Sequence, residues 1–117
     1  MNFLCLVHVD HERYERFSRA EKEKLGRENA DYFDWLVANG HNVLSSSLHG
    51  PETATVIRSN NGKVSMTDGP FIETKEHVGG IMVIRARDRQ EALEVAARSP
   101  VVRYGAIELR ETHYQEP

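Results

Sequence analysis

Hydrophobic residues in this chain fall into short runs separated by amphipathic stretches. Phe3 to Val9 is an apolar, β-compatible run in which apolar and polar positions do not alternate, and Ile81 to Ile84 has the same character. Such runs are typical of strands that are covered on both faces. Asn60-Asn61-Gly62 predicts a tight hairpin turn, since Asn-Gly accepts the positive φ angles that this turn needs. The remaining predicted strands are His41 to Leu48, Thr53 to Arg58, Lys63 to Thr67 and Ala106 to Arg110.

Capping patterns mark the starts of two helices. After a polar stretch from Asp10 to Phe17, Ser18-Arg19-Ala20-Glu21 forms a capping box, whose side chains satisfy the backbone N–H groups at a helix start. This helix is predicted to end at Gly40. Asp88-Arg89-Gln90-Glu91 opens the second helix, which ends near Pro100. The apolar stripe of the first helix is predicted to consist of Leu25, Tyr32, Phe33, Leu36 and Val37.

The order of these elements predicts an α+β fold. Strand, helix, strand, hairpin, strand, helix, strand is the ferredoxin-like βαββαβ plan with a β-hairpin inserted after its second strand. Two helices can cover only one face of such a sheet, whereas the runs at Phe3 and Ile81 are apolar on both sides. A second copy of the sheet is the economical cover for the other face, so we expect an isologous homodimer with a shared interior.

Length and charge narrow the classes of protein to consider. The 117 residues fit one domain spanning 1–117. The net charge of −3, from 15 Lys and Arg against 18 Asp and Glu, argues against direct binding of nucleic acid through its phosphates. The single cysteine, Cys5, lies in an apolar run and is expected to be an inert buried thiol. The start of the chain has no basic leader, and its apolar run is too short to span a membrane, so we expect a cytoplasmic protein without a membrane partner.

One segment in the middle of the chain carries a family resemblance. Thr67 to Glu76, which reads Thr-Asp-Gly-Pro-Phe-Ile-Glu-Thr-Lys-Glu and is followed by Gly79-Gly80, closely resembles the signature of the YCII-related family in its DGPF subgroup. The resemblance extends over nearly the whole chain. It implies a dimeric α+β barrel and a small cytoplasmic bacterial protein, in a family whose biochemical role is mostly unassigned. The wider superfamily is associated with acid-base chemistry by a His and Asp pair, and some DGPF proteins with sigma factors. His8 departs from this resemblance, because an aromatic or other non-histidine residue is expected at its position in similar sequences.

The Asp-Gly-Pro segment also has a purely structural interpretation. Asp68 can accept hydrogen bonds from backbone N–H groups two residues on, Gly69 allows a positive φ, and Pro70 fixes the next bend. The charged residues that follow, Glu73 and Lys75 among them, are interpreted either as a solvated loop or as contacts to a ligand.

Histidines from separate segments are predicted to meet at one edge of the sheet. The direction of the strands places the ends of the first two strands and the loop from Asp68 to His77 at the same edge. Histidine suits proton transfer near neutrality, so His8 and Asp68 are the predicted catalytic pair. The predicted ligand-binding residues are His11, His49, Glu73, Lys75 and His77.

Metal and nucleotide sites are not indicated. His8-Val9-Asp10-His11 lacks the helical His-to-His spacing of a zincin, and no cysteine cluster supports it. Gly79-Gly80 precedes a strand instead of a helix, which disfavours a phosphate cradle. We therefore expect no metal and no cofactor.

Two functions remain open at this point. The first is a protein that binds an unknown small molecule, or a cofactor-independent enzyme, with His and Asp as proton-transfer groups in a cleft. The alternative is a non-catalytic regulatory or interaction module associated with sigma-factor control. A polar-lined pocket with several histidines favours the first, and a filled interior with a broad exposed apolar patch favours the second.

Overall fold

The protein is an α+β chain with antiparallel strands. The computed structural model describes residues 1–117. In chain order the elements are β1 (Asn2–Asp10), α1 (His11–Glu15), α2 (Arg19–Ala38), β2 (Asn42–Ser47), β3 (Thr55–Asn60), β4 (Lys63–Asp68), β5 (Glu76–Arg85), α3 (Arg89–Ala97) and β6 (Gly105–Thr112). Short 3₁₀ turns cover Pro51–Thr53 and Pro100–Arg103.

Four of the strands form one sheet in the order β2-β5-β1-β6, and each strand is antiparallel to its neighbours. In the β1 and β5 pair, Phe3 lies opposite Ile84 and Cys5 lies opposite Met82. Residues directly opposite one another share a face of the sheet. These four side chains therefore stand on the same face, and all of them are buried.

Helices α2 and α3 pack on this face and complete the core. Phe3, Cys5 and Ile84 are each 0% exposed, and the buried helix residues join them in one cluster. The helix members of that cluster are Leu25, Leu36, Ala92, Val95 and Ala96. The Tyr32 hydroxyl donates a 2.8 Å hydrogen bond to the Val95 carbonyl and so ties the two helices together. Burial raises the pKa of Tyr32, because its ionised form loses water there.

The predicted stripe of α2 is only partly buried. Leu25 and Leu36 are in the core and Tyr32 is half-buried, but Phe33 is 43% exposed and Val37 is 53% exposed. At about 100° per residue, the two exposed side chains lie roughly a quarter to a third of a turn away from the line through the other three. The prediction was wrong for these two positions because the helix contacts the sheet along a narrower line.

The other face of the sheet carries apolar residues but no core cluster. The register places Leu4, Leu6, Ile81, Val83 and Leu44 on it. Leu4, Leu6 and Ile81 are half-buried, and Leu44 is 36% exposed. Val83 is buried yet does not belong to the cluster beneath the helices. We call this surface the open face.

Strands β3 and β4 form a separate two-stranded sheet, which we call the arm. The predicted Asn-Gly turn is confirmed, since Asn61 has φ 51° and Gly62 has φ 80°. The two strands contact each other extensively and other strands and helices only sparsely. The radius of gyration of the chain is 16.1 Å, whereas a compact chain of this length has about 13 Å.

Several local features differ from the sequence predictions. The polar stretch after β1 contains the short helix α1, because the Asp10 carboxylate accepts a hydrogen bond from the Arg13 N–H and caps it. Strand β5 begins at Glu76, so the predicted loop to His77 is shorter and Gly79-Gly80 lies inside the strand. A side chain there has little room: a Cβ on Gly79 would lie 2.9 Å from a Val9 methyl. The terminal strand also continues past Glu111 to Thr112.

Two leucines of similar local structure provide a test of the core. Leu36 on α2 is 1% exposed, whereas Leu93 on α3 is 40% exposed. Leu36→Ala should lower the free energy of unfolding by about 2 to 5 kcal/mol, because it leaves a cavity under the sheet. Leu93→Ala should change it by less than about 1 kcal/mol. Urea denaturation of both variants checks this; equal losses would mean that α2 does not pack as described.

The thiol of Cys5 provides a second test. Burial raises the pKa of Cys5 from 9.0 to about 11, since the thiolate would lose its water. The contribution of the neutral Cys5 thiol to the free energy of unfolding should therefore be fully present below pH 9.0 and be lost as the pH rises through about 11.

Alkylation measures the burial of Cys5 directly. In the native protein, alkylation of Cys5 by iodoacetamide at pH 8 should be slow, and urea should make it fast. A Gln115→Cys control in a Cys5→Ser background should react quickly in both conditions; rapid labelling of native Cys5 would contradict its burial.

Candidate functional site

The largest cleft lies where the open face meets the base of the arm. Its volume is about 760 Å³. Five segments supply its walls: the end of β1, the start of β5, the loop after β2, the 3₁₀ turn before β3 and the loop after β4. Its lining residues include His8, His49 and His77 together with the apolar side chains of Leu48, Pro70, Phe71, Ile72 and Val78.

Backbone hydrogen bonds hold the loops around this cleft. The Leu48 N–H donates to the Gly79 carbonyl at 2.9 Å and fixes the loop after β2 against β5. At the base of the arm, the Gly69 N–H donates to the Ala54 carbonyl at 2.7 Å. The first contact attaches the loop after β2 to the main sheet, and the second joins the two ends of the arm to each other.

His8 is the one histidine of the cleft with a carboxylate partner. Its Nε2 lies 3.2 Å from Oε1 of Glu108 on the neighbouring strand β6. An ionised carboxylate only accepts hydrogen bonds, so Nε2 is the donor in this contact, and in the neutral form of the ring this leaves the free lone pair on Nδ1. The His8 side chain is 28% exposed and that of Glu108 49% exposed. The pair is therefore within reach of solvent and of a ligand in the cleft.

A smaller cleft adjoins the first. Its volume is about 390 Å³, and it shares Gly50, Pro51, Thr74 and His77 with the larger one. Its other lining residues are His11, Glu12, Glu52 and Lys75. His11 is the first residue of α1, and its Nε2 is buried without a hydrogen-bond partner. A buried ring nitrogen without a partner is a hydrogen-bonding position that a bound group can fill.

The structure distributes the predicted site residues unevenly. His8, His49 and His77 line the large cleft, and His11, Lys75 and His77 line the small one. Asp68 and Glu73 line neither.

Asp68 instead ends β4, where its Oδ1 accepts a 3.4 Å hydrogen bond from the Thr55 hydroxyl across the arm. The carboxylate that contacts His8 is that of Glu108. Sequence reasoning missed Glu108, although its place two residues beyond Ala106 on the strand beside β1 was a signal that strand alternation could have used.

Two negative observations complete the description. His, Cys, Asp and Glu side chains nowhere gather in a group of three or more that could hold a metal ion. None of the helices combines the length and the apolar character that crossing a lipid bilayer requires.

Comparison with known protein families gives a match. The family profile described as the YCII-related domain matches residues 1–113. No curated protein matches the chain.

The turn beside the cleft can be tested with two glycines. Gly69 has φ +110°, and a Cβ there would have no atom within 4 Å, so the backbone angle alone resists a side chain. Gly69→Val should lower the free energy of unfolding by about 1 to 3 kcal/mol. Gly26 lies within α2 with equally open space, and Gly26→Ala should raise it by about 0.5 to 1 kcal/mol. If denaturation shows no loss for Gly69→Val, the positive φ does not constrain this turn.

Proposed function

The chain belongs to the YCII-related family, and from this premise we propose that it binds a small molecule in the large cleft, with His8 as the proton-transfer group. The proposal includes the DGPF subgroup within the family and a cytoplasmic location. It depends chiefly on one observation, the gathering of His8, His49 and His77 around a single cleft of about 760 Å³. Sites for small molecules measure about 300 to 1,000 Å³ and combine apolar walls with a few polar groups.

The walls favour a ligand with an apolar or aromatic body. Leu48, Phe71 and Ile72 line the cleft, and Phe71 is 69% exposed while Ile72 is 58% exposed. Apolar side chains this exposed gain free energy when a ligand covers them. The three imidazoles supply hydrogen bonds that orient the ligand, and Glu76 is the one carboxylate of the lining.

The contact between His8 and Glu108 supports acid-base chemistry. While Nε2–H donates a hydrogen bond to Glu108, Nδ1 of neutral His8 is free to take a proton from a bound ligand. The imidazolium that forms is stabilised by the Glu108 carboxylate, and the same proton returns to another atom of the ligand. Such a cycle moves a proton within the ligand without changing its composition, and it needs no oxidant or reductant. The predicted role of Asp68 stays a prediction to be compared with that of Glu108.

We further infer a ferredoxin-like plan with the arm as its inserted hairpin, and a homodimer in which two open faces form a dimeric α+β barrel. The antiparallel order β2-β5-β1-β6 supports the first inference. The apolar open face supports the second, because a second copy would remove Leu4, Leu6 and Ile81 from water. His8 lies on the same face of β1 as Leu4 and Leu6, so a partner there would enclose the cleft.

Thermal-shift measurement against a panel of small aromatic and aliphatic metabolites tests the binding function. A ligand at 100 times its Kd stabilises the native state by about 2.7 kcal/mol, which corresponds to a rise in Tm of roughly 10 °C for a domain of this size. For any compound that binds, His8→Gln should weaken binding about tenfold or more, since a hydrogen bond to a polar group is lost. Glu108→Gln should weaken it less and abolish any proton transfer.

Two control variants sharpen this test. His113→Gln changes an exposed histidine outside the cleft and should leave binding unchanged. Asp68→Asn should resemble His113→Gln if Glu108 is the partner of His8, and it should resemble Glu108→Gln if Asp68 takes part. Compounds that bind the wild type and His8→Gln equally well would place the site elsewhere. A protein that binds none of the compounds but captures a transcription factor would favour the regulatory alternative.

A further inference from the structure

The arm carries an apolar surface that the chain itself does not cover. Ile57, Val64 and Met66 lie on one face of the two-stranded ribbon, with Ile57 directly opposite Met66. Their exposed fractions are 64%, 64% and 70%. We call these three residues the ridge.

The opposite face of the arm is the one turned to its own chain. Arg58 alternates with Ile57 and so lies on the face away from the ridge, and its guanidinium stands 4.9 Å from the centroid of the Phe71 ring. Phe71 is part of the loop that lines the cleft. The Arg58 face is therefore attached to the cleft loop, and the ridge points away from it.

An uncovered ridge conflicts with what holds a ribbon together. A two-stranded hairpin on its own is at best marginally stable in water, and an apolar face needs packing against another layer. The arm has only sparse contacts with the rest of its own fold. The chain itself therefore packs against the Arg58 face of the arm and leaves the ridge without a covering layer.

We propose that the ridge packs on a second copy of this chain, so that the arms of a dimer reach across to the partner subunit. The inference rests on the homodimer proposed above and adds a second contact to it. A two-fold dimer is self-complementary, so both ridges are covered by the same contact. Each arm begins at the mouth of the cleft of its own subunit. In the dimer, the partner's arm then helps to enclose that cleft.

The areas involved agree with this arrangement. Four strands about 4.8 Å apart and about 25 Å long make an open face of roughly 500 Å². The ridge adds roughly 200 Å² at two-thirds exposure. A specific interface buries about 800 Å² on each partner, so the open face alone falls short and the two surfaces together approach that value.

Met66 and Ser65 allow a matched test. They are neighbours on β4, both are exposed in the single chain, and they lie on opposite faces of the arm. Met66→Glu places a charge in the proposed contact and should raise the dimer Kd at least about tenfold by sedimentation equilibrium. Ser65→Glu places the same charge on the other face and should leave the Kd within about twofold. Circular dichroism establishes that both variants are folded.

Hydrogen exchange measured on the wild type gives an independent reading. The amides of β3 and β4 should be protected in the dimer and lose protection when the protein is diluted below its dimer Kd. A dimer whose arm amides exchange as fast as an unstructured peptide would overturn the arm contact and leave the shared sheet intact. Equal dimer Kd values for Met66→Glu and the wild type would also overturn it. A protein that is monomeric at every concentration would overturn both the arm contact and the proposed dimer.

Discussion

The packing of α2 and α3 against one face of the four-stranded sheet determines the layout of the whole molecule. Phe3, Cys5 and Ile84 are fully buried beneath those helices. Both helices are used on this side, and Leu4, Leu6 and Ile81 on the reverse side are only half-buried. A sheet with apolar residues on both faces needs a layer on each. The open face is therefore both the surface that the proposed dimer would cover and the surface that bears the candidate site.

The cleft follows from the same asymmetry. His8 stands on the open face because it continues the alternation of Leu4 and Leu6 along β1, and Glu108 reaches it because β6 pairs with β1 in antiparallel register. A helix layer on this side would have buried the pair. The polar contact and the apolar residues around it thus share one surface.

Local signals in the sequence predicted the elements well. Ser18 and Glu21 form the capping box that their spacing indicates, Asp88 caps α3, and Asn61 with Gly62 makes the hairpin turn. Each of these depends on residues close together in the chain. Features that depend on distant neighbours were missed: Gly79 lies within β5, where Val9, far away in sequence, leaves no room for a Cβ.

The sequence predicted which histidines share the candidate site but not which carboxylate contacts His8. Strand direction was enough to bring His8, His49 and His77 to one cleft. It could not select the carboxylate partner of His8, because that depends on which face of β6 meets β1 and on their register. Asp68, chosen for its place in the Asp-Gly-Pro segment, instead bonds to Thr55 across the arm. The exposure of Phe33 and Val37 likewise depends on how α2 lies across the sheet.

In the proposed dimer, two copies of the chain cover each other's open faces. An isotope-filtered NOE experiment on a sample assembled from ¹³C-labelled and unlabelled subunits detects this contact. Intermolecular NOEs are expected to the methyl groups of Leu4, Leu6 and Val83, and none to Leu36, which lies beneath the helices. Intermolecular NOEs confined to the outer surfaces of α2 and α3, or none at all, would contradict it.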